Sequence, residues 1–199
     1  MRYWVIVLLF FICLPLTPET IKAKTENGKD VLLNSDGTWK YSDQIDSTKK
    51  MSLPSKSTNK LISRTGDVFL YYDPTKWISQ KLDDGSADYQ IQSKAGEIYA
   101  RLITERMSLT MDYVRTFIEQ NASKKTESFE VFEEGEKIIN GTSIKYLKAK
   151  VKLYSNNLIF YWYYWTGEKG TVQLYSYSNN KLFDEKYDDI QNLMDGLVI

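Results

Sequence analysis

The stretch that most constrains this chain is residues 158–177, LIFYWYYWTGEKGTVQLYSY. Residues 158–165 are eight consecutive apolar or aromatic side chains, a composition that suits a strand far better than a helix. Residues 166–170, TGEKG, break the run with two glycines. Residues 171–177 then alternate Thr171, Gln173, Tyr175 and Tyr177 against Val172, Leu174 and Ser176, so the pair reads as a β-hairpin with a loop of about five residues. One face of the first arm carries Leu158, Phe160, Trp162 and Tyr164, and the other carries Ile159, Tyr161, Tyr163 and Trp165. Neither face is polar. Such a strand needs covering on both sides, or else one face is a binding surface.

The remaining 179 positions of the 199-residue chain hold no His, one Cys and balanced charge, with 26 basic and 26 acidic residues in the whole. This length accommodates one ordinary domain and a small appendage. Arg2 precedes an apolar run over residues 3–16, shorter than the roughly 20 residues of a membrane-spanning helix. The pattern predicts a secretory signal peptide over residues 1–23, cleaved after Ala23, with Ile21 making the processing motif imperfect. Lipid attachment at Cys13 is disfavoured by the bulky Phe10-Phe11-Ile12 before it. A periplasmic or secreted location follows, with membrane contact only through the transient signal peptide.

Removing residues 1–23 takes away Arg2, Lys22, Glu19 and Cys13, leaving a net charge of −1. A chain without His or Cys excludes Ser-His-Asp and Cys-His catalysis, imidazole acid–base chemistry and thiolate or imidazole metal sites. No cofactor is expected. Neutral charge also gives no footprint for nucleic acid.

Residues 24–42 carry the turn dipeptides Asn27-Gly28 and Asp36-Gly37 around 29–33, which reads as a short β-ribbon with Val31, Leu33, Trp39 and Tyr41 as its apolar side chains. Residues 43–64 shift to Ser, Thr, Lys and Asn and read as a flexible linker. The main domain, residues 65–199, opens with strands at 67–72, 76–82, 87–94 and 97–107, joined by short turns and hence antiparallel. Ser108 is placed to cap a helix over about 109–124, with Met111, Val114, Phe117, Ile118 and Ala122 on one stripe. A strand from Phe129, a hairpin turn at Asn140-Gly141 and a strand over 143–154 follow. In that last strand Leu147, Ala149, Val151 and Leu153 face one way and Lys148, Lys150 and Lys152 the other. Asn179 or Asn180 caps a final helix with Phe183, Tyr187, Ile190 and Met194 on its stripe, stopped at Gly196.

In order, these segments give an aromatic strand with Asp73-Pro74 and Trp77, a strand pair ending in Ile103-Thr104-Glu105-Arg106, a Ser-capped helix, the Asn140-Gly141 hairpin, Tyr-rich paired strands and a helix bearing Leu182-Phe183 and Tyr187. Over residues 65–199 this pattern resembles the PsbP/Mog-like family, including its exported bacterial members. The resemblance implies an α+β fold, an antiparallel sheet of six or seven strands covered by helices as an α/β/α sandwich, here preceded by the N-terminal ribbon. It also implies a non-enzymatic binding or assembly role, and no metal-binding or partner-contact motif of the family is matched here.

Three sets of residues are candidates for function. Among the aromatics, Tyr164 and Trp165 nearest the hairpin loop are the ones most open to partner contact, the rest filling the core beneath the helices. Lys148, Lys150 and Lys152 stand about 7 Å apart along one strand face and suit a polyanion or a solvated edge. The carboxylates Glu133, Glu134 and Glu136 supply the oxygen ligands of a Ca²⁺ site in type, and Glu97 with Glu105 the groups of an acid–base pair, but neither set has the loop spacing such a site needs, and no catalytic or metal residue is expected. The expected function is an exported, non-catalytic interaction or assembly domain of the bacterial cell envelope, binding an envelope protein or polymer; the alternative is a carboxylate-based hydrolase acting on an extracellular glycan.

Overall fold

The computed structural model describes residues 21–25, 30–33, 37–41 and 51–199. The chain divides into two units, Met1–Thr48 and Lys49–Ile199. In the first, β1 (Ile21–Lys24), β2 (Asp30–Leu33) and β3 (Trp39–Tyr41) form an antiparallel ribbon in that order. Val31 is buried, whereas Leu33 and Trp39 are exposed. Because β1 pairs Ile21 with Leu33 and Ala23 with Val31, the ribbon starts ahead of residue 24, and the cleavage position expected after Ala23 falls inside a strand. The segment up to residue 20, expected as a signal peptide, most of both ribbon turns and residues 42–50 lie outside the described residues.

The second unit runs β4 (Asn59–Ile62), β5 (Phe69–Tyr72), β6 (Trp77–Lys81), β7 (Tyr89–Ser93), β8 (Tyr99–Glu105), α1 (Met111–Lys125), β9 (Ser128–Ile139), β10 (Thr142–Leu153), β11 (Asn156–Gly167), β12 (Gly170–Asn179), α2 (Asn180–Glu185), α3 (Tyr187–Met194) and β13 (Leu197–Val198). Seven strands make one antiparallel sheet in the order β6-β7-β8-β12-β11-β10-β9, and β13-β5-β4 make a second, smaller one. The α+β class and the seven-stranded antiparallel sheet are as expected.

Two expectations are corrected. The segment expected as a linker contains β4, where only Leu61 turns inward, opposite Leu70 of β5. One buried side chain in four residues is too sparse a pattern to betray a strand whose partner is elsewhere. Strand β5 joins this small sheet and not the large one, because the C-terminal β13 pairs Leu197 with Leu70 on its other side. Gly196 permits that closure: Tyr71 N donates to Gly196 O at 2.9 Å, and a Cβ at 196 would lie 1.8 Å from Tyr71 O.

Local chemistry sets the remaining boundaries. Thr110, not Ser108, caps α1, its hydroxyl accepting from Tyr113 N at 3.2 Å, while Ser108 Oγ is bonded to Thr166 Oγ1. The C-terminal helix breaks at Lys186 into α2 and α3, with Asn179 capping α2 by accepting from Leu182 N at 2.9 Å. The aromatic hairpin closes tighter than expected, with Gly167 paired to Gly170 and only Glu168 and Lys169 between. Asn140 and Gly141 form the expected turn, at φ 48° and 86°.

Two cores flank the large sheet. On one face α2, α3 and the small sheet cover Tyr161, Tyr163, Leu174, Ile91 and Leu102. Two helices of six and eight residues cannot span seven strands, so the small sheet completes the layer. On the other face α1 covers Leu147, Ala149, Val151, Trp162 and Tyr164 with Val114 and Ile118.

Candidate ligand-binding groove

The face beneath α1 is built from alternation and register. Strand β11 aligns Phe160 with Tyr177 and Trp162 with Tyr175 of β12. Strand β12 in turn aligns Tyr177 with Tyr99 and Tyr175 with Arg101 of β8, and β8 aligns Arg101 with Gln90 of β7. Two rows therefore cross this face: Phe160, Tyr177, Tyr99, and Trp162, Tyr175, Arg101, Gln90. Their rings are in contact, with centroids 4.8 Å apart for Phe160 and Tyr177, 4.8 Å for Phe160 and Trp162, 5.2 Å for Trp162 and Tyr175, and 5.5 Å for Tyr99 and Tyr177. Three of these pairs are stacked and Trp162 is tilted 36° from Tyr175, so the rings brace one another as a packed aromatic surface.

A single helix of 15 residues lies over the β9, β10 and β11 side of that surface. Toward β12 and β8 the face stays open as a groove of about 610 Å³, with Phe117, Ala122 and Lys125 of α1 along one wall and Tyr175, Tyr177 and Arg101 on the floor. This volume falls in the range of small-molecule sites.

The electrostatics of the groove are one-sided. Its lining includes Arg101 and Lys125 and no Asp or Glu. Arg101 Nη2 donates to Gln90 Oε1 at 3.2 Å, while Arg101 Nε is buried with no hydrogen-bond partner among the described residues. Burial pushes the Tyr175 and Tyr177 hydroxyls above the ordinary tyrosine range, with the Arg101 charge opposing it. Both rings stay neutral donors at physiological pH.

The residues singled out from sequence lie elsewhere. Tyr164 is 4% exposed and packed under α1, so it offers no contact surface. Trp165 is half-buried against the opposite core. The lysine face is not uniformly solvated: Lys148 is 8% exposed, paired with Glu133 at 3.0 Å and donating to Tyr187 Oη at 3.2 Å. Its strand face is the one that α3 packs on, so Tyr187 closes over it. Lys150 and Lys152 are exposed, the first with Nζ 5.6 Å from the Phe132 ring and the second bridged to Glu127 at 2.8 Å. The three lysines therefore do not form one polyanion ladder.

The carboxylates are also dispersed. Glu133 binds Lys148, Glu134 binds Arg115 of α1 at 3.0 Å, and Glu136 accepts from Ser143. Glu105 bridges Arg64 at 3.1 Å at the far end of β8 from Glu97, a span of about 20 Å that no acid–base pair tolerates. Among the described residues no cluster of three or more ligating side chains forms.

Tyr99, Arg101, Tyr175 and Tyr177 were missed because the outward faces of their strands read as ordinary solvated positions. The available signal was Arg101 between Tyr99 and Ile103 on a face that alternation places opposite Ala100 and Leu102.

No protein-family model and no curated protein matches the chain. Among solved structures it is similar to cyanobacterial PsbP from Synechocystis sp. PCC 6803, with a TM-score of 0.53 at 13% identity over 74% of this chain and 95% of that one. It is also similar to PA94, a protein of unknown function from Pseudomonas aeruginosa, with a TM-score of 0.45 at 14% identity over 71% of this chain and 97% of that one. The first likeness concerns the fold: the chain has a PsbP-like α+β architecture.

Proposed function

We propose that this chain is an exported, non-catalytic binding domain of the bacterial cell envelope, and that its ligand site is the open groove beside α1. The observation that carries the reading is the uncovered half of an aromatic sheet face, about 610 Å³ in volume, walled by a helix and floored by stacked rings. Phe160, Tyr175 and Tyr177 are each half-buried and contiguous, so a ligand seated on them removes further apolar surface from water. The charged n-region and apolar run at residues 2–16 support export, and the absence of His from the chain supports a binding role over imidazole-based catalysis.

The test is binding of N-phenylnaphthylamine, a neutral ring compound whose fluorescence rises on leaving water. Wild-type protein is expected to bind it saturably, and Ala122→Trp, which fills the groove from the helix side, is expected to weaken binding at least about tenfold. Absence of saturable binding, or equal binding by the filled variant, overturns the groove as the site.

A further inference from the structure

We infer that the groove selects a small organic anion, one with an apolar body laid on the Phe160, Tyr177 and Tyr175 rings and a single negatively charged head held by Arg101. The inference rests on the groove being the ligand site, and it names what that site prefers.

Arg101 is the residue that carries it. Its position at the end of the Trp162, Tyr175 row places a guanidinium at the border of the aromatic floor. A guanidinium has five N–H donors, and here its protein partners are neutral, the amide oxygen of Gln90 at 3.2 Å and the Tyr175 hydroxyl. Nε is shielded from water and without a partner among the described residues. A buried donor left unmade is costly, and for a charged group the cost is larger. No ion pair joins Arg101 to any carboxylate among the described residues; the acid that senses its charge, Asp84, is itself bonded to Ser86 Oγ at 2.7 Å and Ser86 N at 2.9 Å. Lys125 adds a second cation to the lining, likewise in no ion pair among the described residues. A lining with two cations, no anion and an aromatic floor favours an anionic head over a neutral or cationic one, and a planar oxyanion fits the guanidinium fork in two-point geometry.

The experiment compares two probes with one ring skeleton, N-phenylnaphthylamine and its sulfonated counterpart anilinonaphthalene sulfonate. Wild type is expected to bind the sulfonate about tenfold or more tightly than the neutral compound, the increment of a charge-assisted hydrogen bond at a shielded site. Arg101→Met is expected to abolish that preference, read as the ratio of the two affinities within the same variant, with an unchanged circular dichroism spectrum reporting that the variant is folded. Arg101→Lys keeps the charge but not the fork, and an intermediate preference is expected. Raising ionic strength on wild type weakens the sulfonate selectively, a test that needs no substitution. If the neutral probe binds but the sulfonate shows no preference, or Arg101→Met leaves the preference intact, this inference falls and the groove reading stands. If neither probe binds, both fall.

Discussion

Tyr163 shows how a polar atom is accommodated in the aromatic core. Its hydroxyl donates to Asp195 Oδ1 at 2.8 Å, accepts from Gln191 Nε2 at 2.8 Å and lies 3.1 Å from the Tyr161 hydroxyl, while Lys137 approaches it and pairs with Asp195 at 3.1 Å. Burial pushes the Tyr163 hydroxyl far above the ordinary range, reinforced by Tyr161 and Asp195, and burial raises Tyr161 likewise. A folded pKa above the unfolded value of about 10 means that stability is fully present below about pH 10 and falls as pH rises beyond it, by about 1.4 kcal/mol per pH unit for each such proton. Denaturation midpoints between about pH 8 and about pH 11 are therefore expected to hold level and then drop steeply. Tyr163→Phe is expected to be less stable at neutral pH but to drop less steeply, narrowing the gap; tyrosinate absorbance showing every tyrosine of the folded protein ionising near pH 10 contradicts this. None of this network was legible from the chain, since Tyr163, Gln191, Asp195 and Lys137 meet only after three elements have packed.

At the scale of elements, α1 both covers the sheet and shapes the groove. Val114 and Ile118 are its buried side chains, while Phe117 stays exposed at the groove wall. Ile118→Ala is expected to cost about 2–4 kcal/mol by opening a cavity over Trp162, against about 1 kcal/mol for loss of the Thr110 cap in Thr110→Ala. Urea denaturation of both variants checks the ordering, and a larger loss for Thr110→Ala means the helix is held by its end and not by its face. The helix stripe was readable because Val114, Ile118 and Ala122 recur at helical spacing. Which strands it covers was not, because the period fixes a face and not a position above the sheet. That missing position is what leaves Tyr175, Tyr177 and Arg101 open, and it moves the functional weight from the tip of the aromatic hairpin to the side of it. The lysine strand was misjudged for a related reason: Lys148 is buried by Glu133 and Tyr187, which are distant in sequence and on different elements.

For the whole molecule, the decisive boundary is where the second unit begins. Reading residues 43–64 as a linker puts the domain start at residue 65, whereas the fold places β4 and Arg64 inside it. Residues 49–64 supply Leu61 to the core and Ser63 Oγ as an acceptor for Val68 N. They also supply Arg64, whose N donates to Asp88 Oδ2 at 2.8 Å and whose Nη2 donates to Thr104 O at 3.0 Å. Asp88, with its side chain 1% exposed, depends on the Arg64 backbone N–H, on Arg64 Nε 3.7 Å away and on Thr104 Oγ1 at 2.5 Å. Both sheets of the unit draw their described strands from beyond Lys49, so a chain beginning at Lys49 is expected to fold and bind N-phenylnaphthylamine as the full chain does. A chain beginning at Thr65 loses a buried leucine, uncovers Leu70 and leaves a shielded carboxylate without its cation, a loss of about 4 kcal/mol or more. Against a total of about 5–15 kcal/mol for a domain, that is enough to shift its urea midpoint far down or abolish cooperative unfolding. Equal midpoints for the two shortened chains return residues 49–64 to the role of a tether and detach β4 from the fold's energetics.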